Sequence, residues 1–250
     1  MHTIFRYIGR RLACYLNKET HVNIASPPSD PHQLKDALLP GDVLLVEGTT
    51  RISGAIKFIT HSTWSHSVIY VGTQKHPALG NQENCLVEAD MLEGVRFTSL
   101  EKYIGSHTRI CRPIGLNEND KEKLIEFLLS KIGMQYDLKN IVDLARYFLP
   151  NPPIPHRFRR QLLELGSGDP TRAICSTLIA QAFESIKYPI LPYQLIKSRK
   201  VAPVDVITGN QFKPLHSSFI TPRDFDVSPY FVIVKPTVDN GFNFHRLEWI

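Results

Sequence analysis

The chain has no apolar run of about 18 residues, so no segment reads as a membrane-spanning helix. It has no C-x-x-C pair. None of its four cysteines, Cys14, Cys85, Cys111 and Cys175, has a histidine at metal-ligand spacing. Short-spaced zinc sites are therefore excluded, and no metal or cofactor is expected. Four cysteines could form two disulfides, but the chain is not a small stapled domain, and free thiols in a reducing compartment are expected. There is no RNP-like, finger-like or basic-zipper pattern. The net charge of +5, with a pI of about 9.0, is too small an excess to argue for nucleic acid, although it suits an anionic membrane surface or an acidic ligand. Internal repeats and low-complexity tracts are also missing.

What remains is an ordinary globular composition, 42% hydrophobic and 21% charged, over 250 residues. That length supports one domain with a substantial core, or one domain with an appendage. The first 20 residues can form an amphipathic helix, with Ile4, Phe5, Ile8, Leu12 and Leu16 on one face and Arg6, Arg10, Arg11 and Lys18 off it. Arginines break the apolar run, so it does not read as a signal-peptide core. Two readings stand: an interfacial anchor on anionic lipid, or a helix packed on the domain. The expected location is cytoplasmic, with peripheral membrane contact if the anchor reading holds.

Further along, Pro40-Gly41 marks a turn before a doubly buried strand, Val43 to Val46. Ser53 to Thr60 reads as a short helix with Ile56 and Ile59 inward. Ser65 to Val71 reads as a strand ending at Gly72, with His66, Val68 and Tyr70 on one face and Ser67, Ile69 and Val71 on the other. Lys75 to Asn84 reads as a polar loop. Strands follow at Cys85–Ala89, with Leu86 and Glu88 on one face, at Val95–Thr98 and at Arg109–Ile114. Asn117 is a plausible N-cap for a helix to Ile132, stopped by Gly133. A further helix is expected from about Leu138 to Phe148, then a stiff PNPPIP segment at Pro150–Pro155. Tyr230 to Val234 reads as a last strand. Helices mixed with short antiparallel strands predict an α+β fold.

The stretch TRAICSTLIAQAFESI, Thr171 to Ile186, carries the strongest chemical signal. A helix beginning near Cys175 aligns Leu178, Ile179, Ala182, Phe183 and Ile186 on one apolar face. Cys175 then lies in the first turn. Unpaired N–H groups and the positive helix end favour a thiolate there and can stabilise an oxyanion. The plainer reading is a small buried hydrophobe. Acyl chemistry on sulfur also needs an imidazole to move the proton and a group to orient it. Of ten histidines, His66 is the best base, since it lies on a strand among apolar residues; His61 is a weaker candidate in the preceding loop. Glu88 sits in an apolar strand, where a carboxylate needs a partner or an edge facing water. Glu83 and an uncharged group are alternatives for orienting the imidazole.

The ordered set P-G-D before a strand, W-S-H-S-V-I-Y-V-G, V-E-A with a following G-V, G-x-x-Y-D and C-S-T-L at a helix start resembles the circularly permuted branch of the NlpC-like papain-fold superfamily. The closing TPRDFDVSPYF is similar to the tail of its YiiX/YaeF-type members. The resemblance runs from about Leu39 to Val234. It implies a permuted papain-like cysteine hydrolase, with Cys175 as nucleophile, His66 as base and Glu88 orienting it. Tyr136 and Asp137 match a family motif without an assigned step. The implied domain spans residues 35–240, with an insert around 150–170. Its substrate would be a peptide- or peptidoglycan-type amide. The branch also resembles lecithin–retinol acyltransferase-type enzymes, which implies a lipid acyl group as the other substrate. The alternatives outside this class are a ligand- or lipid-binding relative without turnover, whose Cys175 and His66 would lie apart, and a His/Cys metal site.

Overall fold

The computed structural model describes residues 11, 14–19, 29–76, 80–90, 93–135, 174–191 and 215–235. In chain order these form α1 (Pro31–Ala37), β1 (Val43–Val46), α2 (Arg51–Thr60), β2 (His66–His76), β3 (Gly80–Asp90) and β4 (Gly94–Ser99). A 3-10 turn (Leu100–Tyr103), β5 (Thr108–Pro113), α3 (Glu118–Ser130) and α4 (Ile174–Ser185) follow. A second 3-10 turn (Ser217–Phe219), α5 (Pro222–Asp226) and β6 (Phe231–Val234) complete them. The strands make one antiparallel sheet in the order β4-β3-β2-β1-β5-β6, giving the expected α+β architecture.

β1 lies inside the sheet, hydrogen-bonded to β2 and β5, and its four residues are all buried. This is why VLLV shows no alternation: helices or turns cover both faces. Period-two alternation on the neighbouring strands sorts the rest. Ile69, Val71, Val87 and Ala89 face α4, meeting Leu178, Ile179, Ala182 and Phe183. Val68, Tyr70 and Leu86 face the other way, onto Leu34 of α1 and Leu38 just after it, and onto Leu100 and Tyr103 of the 3-10 turn. Phe183 is fully buried, with Tyr188 and Phe231 at centroid separations of 5.3 and 5.2 Å. One buried ring of this kind stabilises by roughly 1.5–3 kcal/mol and pins α4 to the sheet.

The P-G-D aspartate is structural. Asp42 is buried at the start of β1 and receives Arg112 Nε at 2.9 Å and Arg112 Nη2 at 2.7 Å, which ties β1 to β5. The G-V of the fourth strand has an equally local cause. Val95 N–H donates to the Met134 carbonyl at 2.9 Å, and a Cβ on Gly94 would strike that same carbonyl oxygen. Gly94 also holds φ at +76°, so only glycine lets the residues after α3 come this close. Asn117 caps α3 by accepting from Asp120 N–H at 2.9 Å, as its position predicts.

Two expectations fail. Lys75, His76 and residues 80–84 are strand, not loop: β2 runs on to His76 and β3 starts at Gly80, paired antiparallel with register shifts around Gly72. Cross-strand pairing satisfies the backbone whatever the side chains, so polar composition concealed the extension. In α2, Ile56 and Ile59 are only half-buried, and Ser53 is the buried residue. The helix begins two residues early, at Arg51, because Thr50 supplies the cap, accepting from Ser53 N–H at 3.3 Å.

Of the N-terminal segment, only Arg11 and residues 14–19 are described. Leu16 is fully buried, and Arg51 lies over the Tyr15 ring at 4.1 Å, so the end of the segment packs on the domain. Tyr136, Asp137, the expected helix at 138–148 and the segment 150–170 lie outside the described residues. Among the described residues no helix is long and apolar enough to cross a membrane.

Candidate active site

β1 is antiparallel to both neighbours, so the end of β1, the start of β2 and the start of β5 lie together: Val46 pairs with His66 on one side and Thr108 on the other. His66 opens β2 at this end of the sheet. Glu88 comes from β3, on the His66 side by alternation, and is 1% exposed. Its Oε2 lies 3.3 Å from His66 Nε2. The same carboxylate accepts from Arg96 Nε at 2.9 Å, from Lys102 Nζ at 2.6 Å and from Tyr103 OH at 2.6 Å. A carboxylate this buried is tolerated because every oxygen is satisfied. Burial disfavours its charge, but His66, Lys102 and Tyr103 outweigh that and hold it below the usual carboxylate range.

Cys175 is the second residue of α4, so its backbone N–H has no acceptor within the helix. The side chain is buried against β2, within hydrogen-bonding reach of His66 and Ser67. Ser67 faces α4 and His66 the opposite side, so the thiol sits over the first two residues of the strand. Nε2 of His66 is taken by Glu88, which leaves Nδ1 for the sulfur. Next door, Ser176 Oγ donates to the Ile220 carbonyl at 2.6 Å and locks the start of α4 to the chain entering α5.

The charges follow this placement. Burial opposes a thiolate at Cys175, yet His66 and the Ser67 N–H and hydroxyl outweigh it and bring the thiol below its ordinary value. Burial likewise opposes an imidazolium at His66, but the Cys175 sulfur and Glu88 push it up to about 10. The favoured state is a thiolate–imidazolium pair. The other two buried thiols behave in the opposite way. Burial alone pushes Cys85 up to about 11, and Cys111 also rises, chiefly from burial. All four cysteines are unpaired.

The structure thus brings Cys175, His66 and Glu88 together. It does not bring His61, which ends α2 with φ +49° and is exposed. Glu88 meets the imidazole; the side chain of Glu83 lies outside the described ones. Reading from sequence missed Ser67, Arg96, Lys102 and Tyr103. Arg96 was within reach, since the pairing of Asp90 with Gly94 sets Arg96 directly opposite Glu88. Lys102 and Tyr103 come from a 3-10 turn that no periodicity announces. Among the described residues, no group of three or more His, Cys, Asp or Glu is placed to hold a metal ion.

Comparison with known proteins reaches part of the chain. No curated protein matches the chain. Residues 37–148 match the profile of a family described as permuted papain-like amidase enzymes of the YaeF/YiiX type. The match includes His66 and Glu88 and ends before Cys175. Over residues 37–148 the chain is thus similar to the permuted papain-like amidase family.

Proposed function

We propose that the protein is a cysteine amidase that works through an acyl-enzyme on Cys175, with His66 as acid and base and Glu88 orienting it. One observation carries the reading: of three buried thiols, only Cys175, at the start of α4 and against a carboxylate-bound imidazole, is held below its ordinary pKa. In the first half-reaction the sulfur attacks the amide carbonyl carbon. The oxyanion that forms faces the Cys175 N–H at the helix start. His66 gives its proton to the leaving nitrogen as the C–N bond breaks, leaving a thioester and a free amine. Water then attacks the thioester, His66 takes the water proton, and the C–S bond breaks to release the acid and restore the ion pair. Glu88 keeps the ring facing sulfur throughout and stabilises the imidazolium.

The family match over residues 37–148 supports an amide, and a peptide- or peptidoglycan-type amide is the substrate class proposed. The residues that suggested a lipid acyl group, 1–20 and 141–149, lie outside the described residues apart from 11 and 14–19. The test is a panel of peptide amides and matched esters, with mass spectrometry for the acyl-enzyme. Expected are an acyl adduct on Cys175 and loss of both turnover and electrophile labelling in Cys175→Ala. Turnover that survives this substitution would overturn the reading.

A further inference from the structure

Beside the Cys175 site lies a polar cleft of about 770 Å³. It opens at the same end of the sheet as His66. Glu47 follows β1 and His107 precedes β5, each one residue beyond the Val46–Thr108 pair, and Trp64 stands two residues before His66. The far wall is α5, whose approach is tied to the start of α4 by the Ser176–Ile220 hydrogen bond. The cleft therefore lies at the end of the sheet where the thiol sits, on the β5 side, although Cys175 and His66 do not themselves line it.

Its charges are unevenly placed. The two carboxylates are withdrawn and occupied. Glu47, 6% exposed, accepts from Lys57 Nζ at 3.3 Å and lies 3.2 Å from His107 Nδ1. Asp226 accepts from Trp64 Nε1 at 3.0 Å and from Arg109 Nη1 at 2.7 Å. The cations are further out. Arg109 is 38% exposed and commits one nitrogen to Asp226; Arg223 commits Nη1 to the Thr60 carbonyl at 3.0 Å. Their other N–H groups have no partner among the described residues, and both side chains line the cleft. A guanidinium with several free donors is a carboxylate receptor by geometry as well as charge.

We propose that this cleft is an anion subsite, and that the substrates are amides carrying a free carboxylate held by Arg109 and Arg223. The link to catalysis rests on the amidase reading; the subsite itself does not. β1 separates β2 from β5, two strand spacings of about 4.8 Å, so the β5 wall of the cleft stands roughly 10 Å across the sheet from the His66 strand, and a substrate of about that reach is the one to test.

The experiment uses the full chain and bromoacetyl amides of glycine, 4-aminobutanoate and 6-aminohexanoate, each as the free acid and as the carboxamide. The six-carbon acid spans about 10 Å when extended, by ordinary bond lengths. It should alkylate Cys175 roughly tenfold faster than its carboxamide, the size of one charge-assisted hydrogen bond, with a smaller preference for the shorter acids. Arg109→Gln and Arg223→Gln should each erase most of that preference and leave the carboxamide rate unchanged, which also reports an intact fold. Arg223 is on the surface and, among the described residues, bonds only a helix-end carbonyl, so its substitution keeps the test usable if Arg109→Gln misfolds. Equal rates at every length would overturn the subsite. So would a preference that survives both substitutions, since it would then belong to the His66 imidazolium. If none of the compounds labels Cys175, the amidase reading fails separately. Calorimetric titration of Cys175→Ala with N-acetyl-6-aminohexanoate then decides the subsite: binding weakened by Arg223→Gln supports it, and no binding overturns it.

Discussion

The Tyr103 hydroxyl donates to Glu88 Oε2 at 2.6 Å, the same oxygen that faces His66 Nε2 at 3.3 Å. Tyr103 is buried and packs with Leu100 against β2 and β3, so its hydroxyl is fixed in place. It holds the carboxylate in the one orientation that serves the imidazole. Tyr103→Phe keeps the packing and removes a charge-assisted hydrogen bond, at a cost of about 1.5–3 kcal/mol of stability. Activity should fall several-fold, since Lys102 and Arg96 still hold the other oxygen. Denaturant unfolding alongside peptide-amide turnover checks both; unchanged stability would mean that the hydroxyl is bonded elsewhere in solution.

Glu88→Gln is the sharper change. It preserves volume but removes the charge that His66, Arg96 and Lys102 all face. Both cations are more than a third exposed and can turn to water, so the cost should be near the low end for a broken buried pair, about 3 kcal/mol. The amide of the new glutamine can also donate to His66 Nε2, which puts the ring proton on Nδ1 and removes the base. Activity should fall roughly 10³- to 10⁴-fold, as when the acid behind a catalytic histidine is amidated. A folded Glu88→Gln protein with full turnover would remove Glu88 from the mechanism.

Activity should trace a bell against pH. The acid limb is formation of the pair, below the ordinary thiol value of 9.0 because Cys175 is lowered; the alkaline limb is deprotonation of His66 near 10. Electrophile labelling needs only the thiolate, so it should rise on the acid limb and then stay level. His66→Ala should slow labelling at about pH 6 by at least tenfold. Stability has its own acid limb. The folded value of Glu88 lies below its ordinary 4.5, so its contribution is complete above that pH and is lost as pH falls below it. Glu88→Gln should flatten this part of a stability–pH curve, and an unflattened curve would point to other carboxylates.

How much of this was legible beforehand follows from which interactions are local. β1, the start of β2 and the apolar face of α4 repeat at periods of two and 3.6, and the sheet and its helix follow from them. The polar half of the β2–β3 hairpin has no such period, and its pairing is a backbone property. That Glu88 needs partners was readable from its neighbours Val87 and Ala89, but Lys102 and Tyr103 reach it by a non-periodic turn. Nothing in the spacing of His66 and Cys175 says that they meet. Only the family resemblance put them together, and the sheet topology explains how.

Ser67 gives the last test, because its hydroxyl has no ordinary reason to be where it is. It is fully buried on the face toward α4, opposite Leu45 in the sheet, and it meets no nitrogen or oxygen partner among the described residues. A hydroxyl buried that way costs roughly 1–3 kcal/mol unless something accepts its proton. The Cys175 sulfur is within reach, and a thiolate accepts far better than a thiol. Ser67→Ala therefore has two opposed effects. Stability should hold or rise slightly, since an ill-satisfied polar group leaves the core. The Cys175 pKa should rise, so labelling by iodoacetamide at about pH 6 should slow several-fold while the plateau at high pH stays the same. A labelling curve that does not move would assign the hydroxyl to packing alone.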